Sequence, residues 1–130
     1  MDQFAPSTDV SKTEGHTHWD RIDVVPTKLR KACGEGIISQ NDPHMTRQWL
    51  FTKGNRIFSI YDWKSTSLFD PKFPTPEAFW NSNKPVSLHL CGEDDDAAEA
   101  DVNLLIEGLE GMCGDKSVDK LAKGIEKMGK

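Results

Sequence analysis

No stretch of the chain approaches the ~18 consecutive apolar residues that a membrane-crossing helix needs. The first fifteen residues, MDQFAPSTDVSKTEG, have neither the basic start nor the apolar run of a secretory leader. Cysteine is scarce. Cys33, Cys91 and Cys113 make an odd number with no C-x-x-C spacing, so a fully paired disulfide framework is excluded. Reduced thiols, packed as small apolar groups, are expected instead. Basic charge is in deficit: 16 Lys and Arg stand against 21 Asp and Glu, for a net charge of −5. That argues against general binding to a phosphate backbone. Much of the excess acid sits between Glu93 and Asp101; elsewhere the balance is near neutral, which leaves room for a local basic patch. Walker, G-x-S-x-G, H-E-x-x-H and dinucleotide-binding signatures are all missing. His16-Thr17-His18 carries metal-binding side chains, but no cysteine or carboxylate completes a site at characteristic spacing. No metal and no cofactor is expected. Together these absences lead to the expectation of a soluble intracellular protein.

The 130 residues, 36% of them hydrophobic, suit one domain able to bury its own core. Residues 1–15 read as a disordered tail, polar and interrupted by Pro6. Residues 16–130 read as a single α+β domain. A strand is expected over 18–25, then a short helix over 28–33 stopped by Gly34 and Gly36. Residues 45–52 and 56–63 are rich in aromatic and β-branched side chains and flank Lys53-Gly54-Asn55. They read as a β-hairpin, and its second strand, apolar on both faces, as central in a sheet. Thr75-Pro76-Glu77 carries helix-start signals. Residues 86–91 alternate cleanly as a strand ended by Gly92. Val102, Leu105, Ile106, Leu109 and Met112 form one helical stripe, and the acids before it suit a helix N-terminus. A second stripe, Val118, Leu121, Ile125 and Met128, predicts a further helix over 117–129. The expected fold is an antiparallel sheet of about four strands with helices packed mainly on one face and a C-terminal helical pair.

The densest cluster of chemistry is Tyr61-Asp62-Trp63-Lys64. Strand alternation puts Tyr61 and Trp63 on one face, where they can stack a planar ligand, and Asp62 and Lys64 on the other. The plain structural alternative has the rings packed under a helix and Asp62 capping the strand end or pairing with Lys64. His89 shares a face with Cys91. If its strand neighbours 56–63, it approaches Tyr61 or Asp62, and an Asp–His pair with a thiol nearby is one basis for base or nucleophilic catalysis. The loop 64–74 adds Phe69 and Phe73 beside prolines, the residue type that anchors interfaces.

Three blocks recur together: Phe58 to Lys64 (FSIYDWK), Pro76 to Trp80 (PEAFW) and Val86 to Gly92 (VSLHLCG). The arrangement resembles a group of small phage-encoded and virus-like proteins with a T-I-Y-D-W-K strand end, a short helix and a closing W-H-I-G-G strand. Lys28-Leu29 to Cys33-Gly34 partly matches the K-L-x-x-x-F-G helix that precedes their hairpin. The likeness spans about residues 18–110 and departs at Ser59, Leu88, Leu90 and Cys91. It implies a small accessory protein of mobile or viral origin, acting in the host cytoplasm, and carries no established activity.

The leading expectation is therefore a non-enzymatic binding protein. It would engage a host protein or a small nucleotide-like ligand through Tyr61, Asp62, Trp63, Lys64, Phe69, Phe73 and His89. The alternatives are a small hydrolase or transferase using His89 with Asp62 and Cys91, and a self-assembling protein that dimerises through helix 117–129.

Overall fold

In chain order, a computed structural model of the protein places β1 (Ala5–Ser7), β2 (Thr17–Val24), α1 (Pro26–Cys33), β3 (Ile37–Ile38), β4 (Arg47–Lys53), β5 (Arg56–Tyr61), α2 (Pro76–Trp80), β6 (Val86–Gly92) and α3 (Asp96–Cys113). It describes residues 4–8, 16–39, 42–93 and 95–115. The fold is α+β, as the sequence pattern implies. The sheet is antiparallel but has six strands rather than four, in the order β1-β4-β5-β6-β2, with β3 also on β4. The two extra strands share the outer edge of β4: β1 pairs with Leu50 to Thr52, and β3 with Arg47 and Gln48. Residues 1–15 are thus not wholly a tail. Ala5–Ser7 pairs into the sheet, and Phe4 is buried edge-to-face on Phe58 at 5.9 Å. The expected helix over 117–129 lies outside the described residues.

The hairpin forms because β4 and β5 carry branched and aromatic residues on both sides of a two-residue turn. Lys53 pairs with Arg56, leaving Gly54 and Asn55 as the turn. Gly54 takes φ 60°, and Asn55 stays out of the left-handed region. Only the first central position demands glycine, as in a II′ hairpin turn. The tip is tied to the start of α3 by charge. Lys53 Nζ lies 2.7 Å from Asp101, and Arg56 reaches Asp101 at 3.5 Å and Asp95 at 3.3 Å. Asp95 also caps α3 by accepting from the Ala98 N–H at 2.8 Å. Acids of the 93–101 run therefore have structural partners.

Alternation sends Ile22, Val24, Trp49, Phe51, Phe58, Ile60, Leu88 and Leu90 to one face of the sheet. There they meet Leu29 of α1, Phe79 and Trp80 of α2, and Val102, Leu105 and Leu109 of α3. Burying each such side chain contributes on the order of 1.5–3 kcal/mol. Met112, counted in the α3 stripe from its spacing, is instead exposed. The start of α1 is pinned to the end of α3 by Val25 N–H donating to Cys113 O at 2.6 Å and Lys28 Nζ donating to Gly114 O at 3.2 Å. Gly92 packs directly over Phe58: a Cβ there would fall 2.6 Å from the ring. As expected, β5 is central, between β4 and β6. That placement brings the site together.

Candidate functional site

The register of three strands sets the site. Tyr61 at the end of β5 pairs with His89 in β6, and His89 pairs with Arg21 in β2. By alternation these residues face away from the helices. Their rings form a continuous row. His18 and His89 lie 4.7 Å apart, and Tyr61 stacks on His89 at 5.9 Å with planes 19° apart. Trp63 meets Tyr61 edge-on at 6.2 Å, His44 stacks on Trp63 at 5.3 Å, and Phe69 lies 5.6 Å beyond His44. These separations fall in the range at which aromatic pairs attract. Trp63 and Phe69 are about 40% exposed, so the row ends on a surface that water still covers.

Lys64 completes it. Its backbone takes φ 55°, the left-handed region that side chains other than glycine rarely adopt. The Lys64 N–H donates to His44 O at 2.7 Å, and the ammonium sits 5.6 Å from the Trp63 ring and 5.4 Å from Phe69. Such cation–ring contacts contribute roughly 0.5–1 kcal/mol at exposed sites. Strain of this kind persists only where the surroundings over-determine it.

Two shallow grooves flank the Tyr61–Trp63 ridge. One, of about 300 Å³, is bounded by His18, Arg21, Tyr61, Trp63 and His89. The other, of about 240 Å³, runs past His16, Asp42, Gln48, Ser59 and Cys91. Both His16 ring nitrogens are buried without a hydrogen-bond partner among the described residues. Burial holds the His16 imidazole below its ordinary pKa, against an opposing pull from Glu93. Burial also lowers His89, helped by the positive charge of its neighbours His18 and Arg21.

Asp62 does not join this surface. It is fully buried, and its carboxylate accepts from the Thr46 N–H and hydroxyl at 2.8 Å each and from the Arg47 N–H at 3.0 Å. The Thr46 hydroxyl in turn accepts from Trp80 Nε1 at 2.9 Å. Strand β5 stops at Tyr61, so Asp62 turns inward and fixes the start of β4. Burial pushes its carboxyl above the usual carboxylate range, although those donors pull it down. His89 accordingly stands beside Tyr61 and not in a pair with Asp62. The Cys91 thiol contacts the Tyr61 hydroxyl at 3.0 Å, and burial raises its pKa, so the thiol form prevails near neutrality. Burial, with the Cys91 contact second, raises the Tyr61 phenol as well. The catalytic grouping of His89, Asp62 and Cys91 is not assembled. Phe73 is exposed but enters none of the ring contacts of the row.

The surface also includes residues that sequence reasoning did not place: His18 and His44 in the row of rings, and Arg21 on the groove beside it. Their signal was weak, because each joins only through strand register. His18 in addition sits at a bulge between His18 and Asp20. All four histidines of the chain, His16, His18, His44 and His89, come to this one region. Among the described residues no group of three or more His, Cys, Asp or Glu is placed to hold a metal ion. No helix among them is long and apolar enough to cross a membrane. Neither a protein-family model nor a curated protein matches this sequence.

Proposed function

We propose that the protein is a small non-enzymatic binding protein that recognises a flat, ring-bearing group on the surface formed by Tyr61, Trp63, Lys64, Phe69 and His89. One observation carries the reading: the continuous row of rings from His18 to Phe69, exposed at Trp63 and Phe69 and topped by the Lys64 ammonium. Packing alone does not call for a strained lysine that sets its charge over two water-facing rings. Stacking with a cation nearby is the arrangement that holds planar ligands and aromatic side chains of partners. The resemblance to phage-encoded accessory proteins suggests the setting, in which such a surface blocks a host protein or sequesters a small ligand.

The test is a saturation-transfer NMR screen of planar aromatic fragments against the wild type and a Trp63→Ala/Phe69→Ala/Phe73→Ala variant with an unchanged circular-dichroism spectrum. The expected result is a set of binders lost in the variant. Equal binding by both proteins overturns the reading.

A further inference from the structure

The chain has four arginines. Arg30 and Arg47 both pair with Glu35, at 2.8 and 2.9 Å, and Arg56 pairs with Asp95 and Asp101. Arg21 differs: among the described residues its guanidinium enters no ion pair and no hydrogen bond, while its backbone pairs with His89 across the strands and its N–H donates to Asp20 Oδ1. It lies exposed on the rim of the 300 Å³ groove whose other walls are His18, His89, Tyr61 and Trp63. That lining holds no acid. An uncompensated guanidinium at one end and two aromatic rings at the other are complementary to a molecule with an anionic end and a flat end.

We infer that this groove takes a mononucleotide, with its base against the Trp63 and Tyr61 rings and its phosphate at the Arg21 guanidinium. The inference names the ligand for the surface proposed above and rests on that reading. The volume is at the small end for ligand sites, which suits one nucleotide rather than a larger cofactor. His18 and His89 line the same groove as Arg21, and imidazole N–H groups there can donate to a phosphate. A free nucleotide is favoured over a nucleic-acid strand. A strand carries one charge per nucleotide, and the net charge of −5, with Arg21 the one arginine lining the groove among the described residues, argues against a track for successive phosphates.

The test is calorimetric titration of the full chain with UMP and AMP, the nucleosides uridine and adenosine, inorganic phosphate, and a ten-nucleotide oligouridylate, with the Trp63 indole N–H resonance followed alongside in a ¹H–¹⁵N spectrum for nucleotides and for unlabelled indole. A nucleotide should bind about tenfold more tightly than its nucleoside, the factor that one charge-assisted hydrogen bond supplies. Arg21→Ala, an exposed position whose loss should leave the fold intact, should reduce the nucleotide to the nucleoside level, and Arg21→Lys should recover part of the difference. If no nucleotide binds but indole still shifts the Trp63 resonance, the nucleotide assignment falls and the aromatic surface stands. If neither binds, both fall. Binding untouched by Arg21→Ala, phosphate binding as tightly as UMP, or an oligonucleotide binding far more tightly than UMP each overturns the seat described.

Discussion

Removing the Asp62 carboxylate should unfold the protein far more readily than any change on the exposed ring row. Its side chain is fully buried and accepts from two backbone N–H groups and one hydroxyl. In Asp62→Ala those three donors lose their acceptor. A buried donor left unmet costs on the order of 1–3 kcal/mol. The Thr46 hydroxyl can rotate, and loss of a desolvated charge offsets part of the penalty, so the net loss is about 3 kcal/mol. Asp62→Asn keeps one oxygen, enough for the Thr46 and Arg47 N–H groups, and disturbs only the hydroxyl contact. Its cost should be about 1 kcal/mol. For a domain of this size the urea dependence is about 1–3 kcal/mol per molar. The Ala variant should therefore lower the unfolding midpoint by about 1–3 M and the Asn variant by well under half as much. Intrinsic fluorescence and far-ultraviolet circular dichroism, followed together, check both the shift and two-state behaviour. An Ala variant within about 1 kcal/mol of wild type, or an Asn variant as damaging as Ala, would refute the assignment of Asp62 to the frame.

Further consequences follow from the same contacts. Lys64→Gly and Lys64→Ala both delete the ammonium, but only glycine relieves the left-handed backbone, so Gly should exceed Ala in stability by about 1 kcal/mol in thermal melts; equal stability would contradict the strain. Gly92→Ala drives a methyl to within 2.6 Å of Phe58 and should cost about 1–3 kcal/mol, with part of the loss recovered when Phe58→Leu is added; a melt unchanged by Gly92→Ala would contradict the close approach. His16 and His89 are held below their ordinary value of 6.5, so the unfolded chain binds more protons than the folded one between the folded pKa values and 6.5. Stability should rise with pH across that window and be lost on acidification through it. Urea midpoints at pH 5.5, 6.5 and 7.5 should show that slope in wild type and a flatter one in His16→Gln/His89→Gln; identical slopes would remove these histidines as its source.

Much of the frame was legible because it rests on local pattern. The residues around Gly54 carried both the strand composition and the turn, and the apolar groups on both faces of 56–61 marked a central strand. Thr75-Pro76 marked α2, and the Thr75 hydroxyl does accept from the Ala78 N–H. Strands β1 and β3 were not legible. At three and two residues they have no period to read, and they exist only because the edge of β4 needs partners. At the site, alternation correctly kept Tyr61 and Asp62 apart, and the juxtaposition of Tyr61 and His89 followed once β6 lay beside β5. It could not show that β5 ends at Tyr61, which turns Asp62 inward to Thr46. Nor could it show that His44, His18 and Arg21 arrive from distant segments, since that depends on register and on a bulge. That Arg21 has no counter-charge among the described residues is a property of neighbours in space and leaves no trace in spacing.

The four tryptophans provide the most direct test of the binding surface. Trp19, Trp49 and Trp80 each donate their indole N–H to an acceptor, Glu93 O, Gly34 O and the Thr46 hydroxyl respectively, whereas Trp63 stands on the exposed row. In a ¹H–¹⁵N spectrum titrated with the aromatic fragments that bind, the Trp63 indole resonance should move while the other three stay in place. Movement of Trp49 or Trp80 with Trp63 stationary would place binding elsewhere and contradict the account.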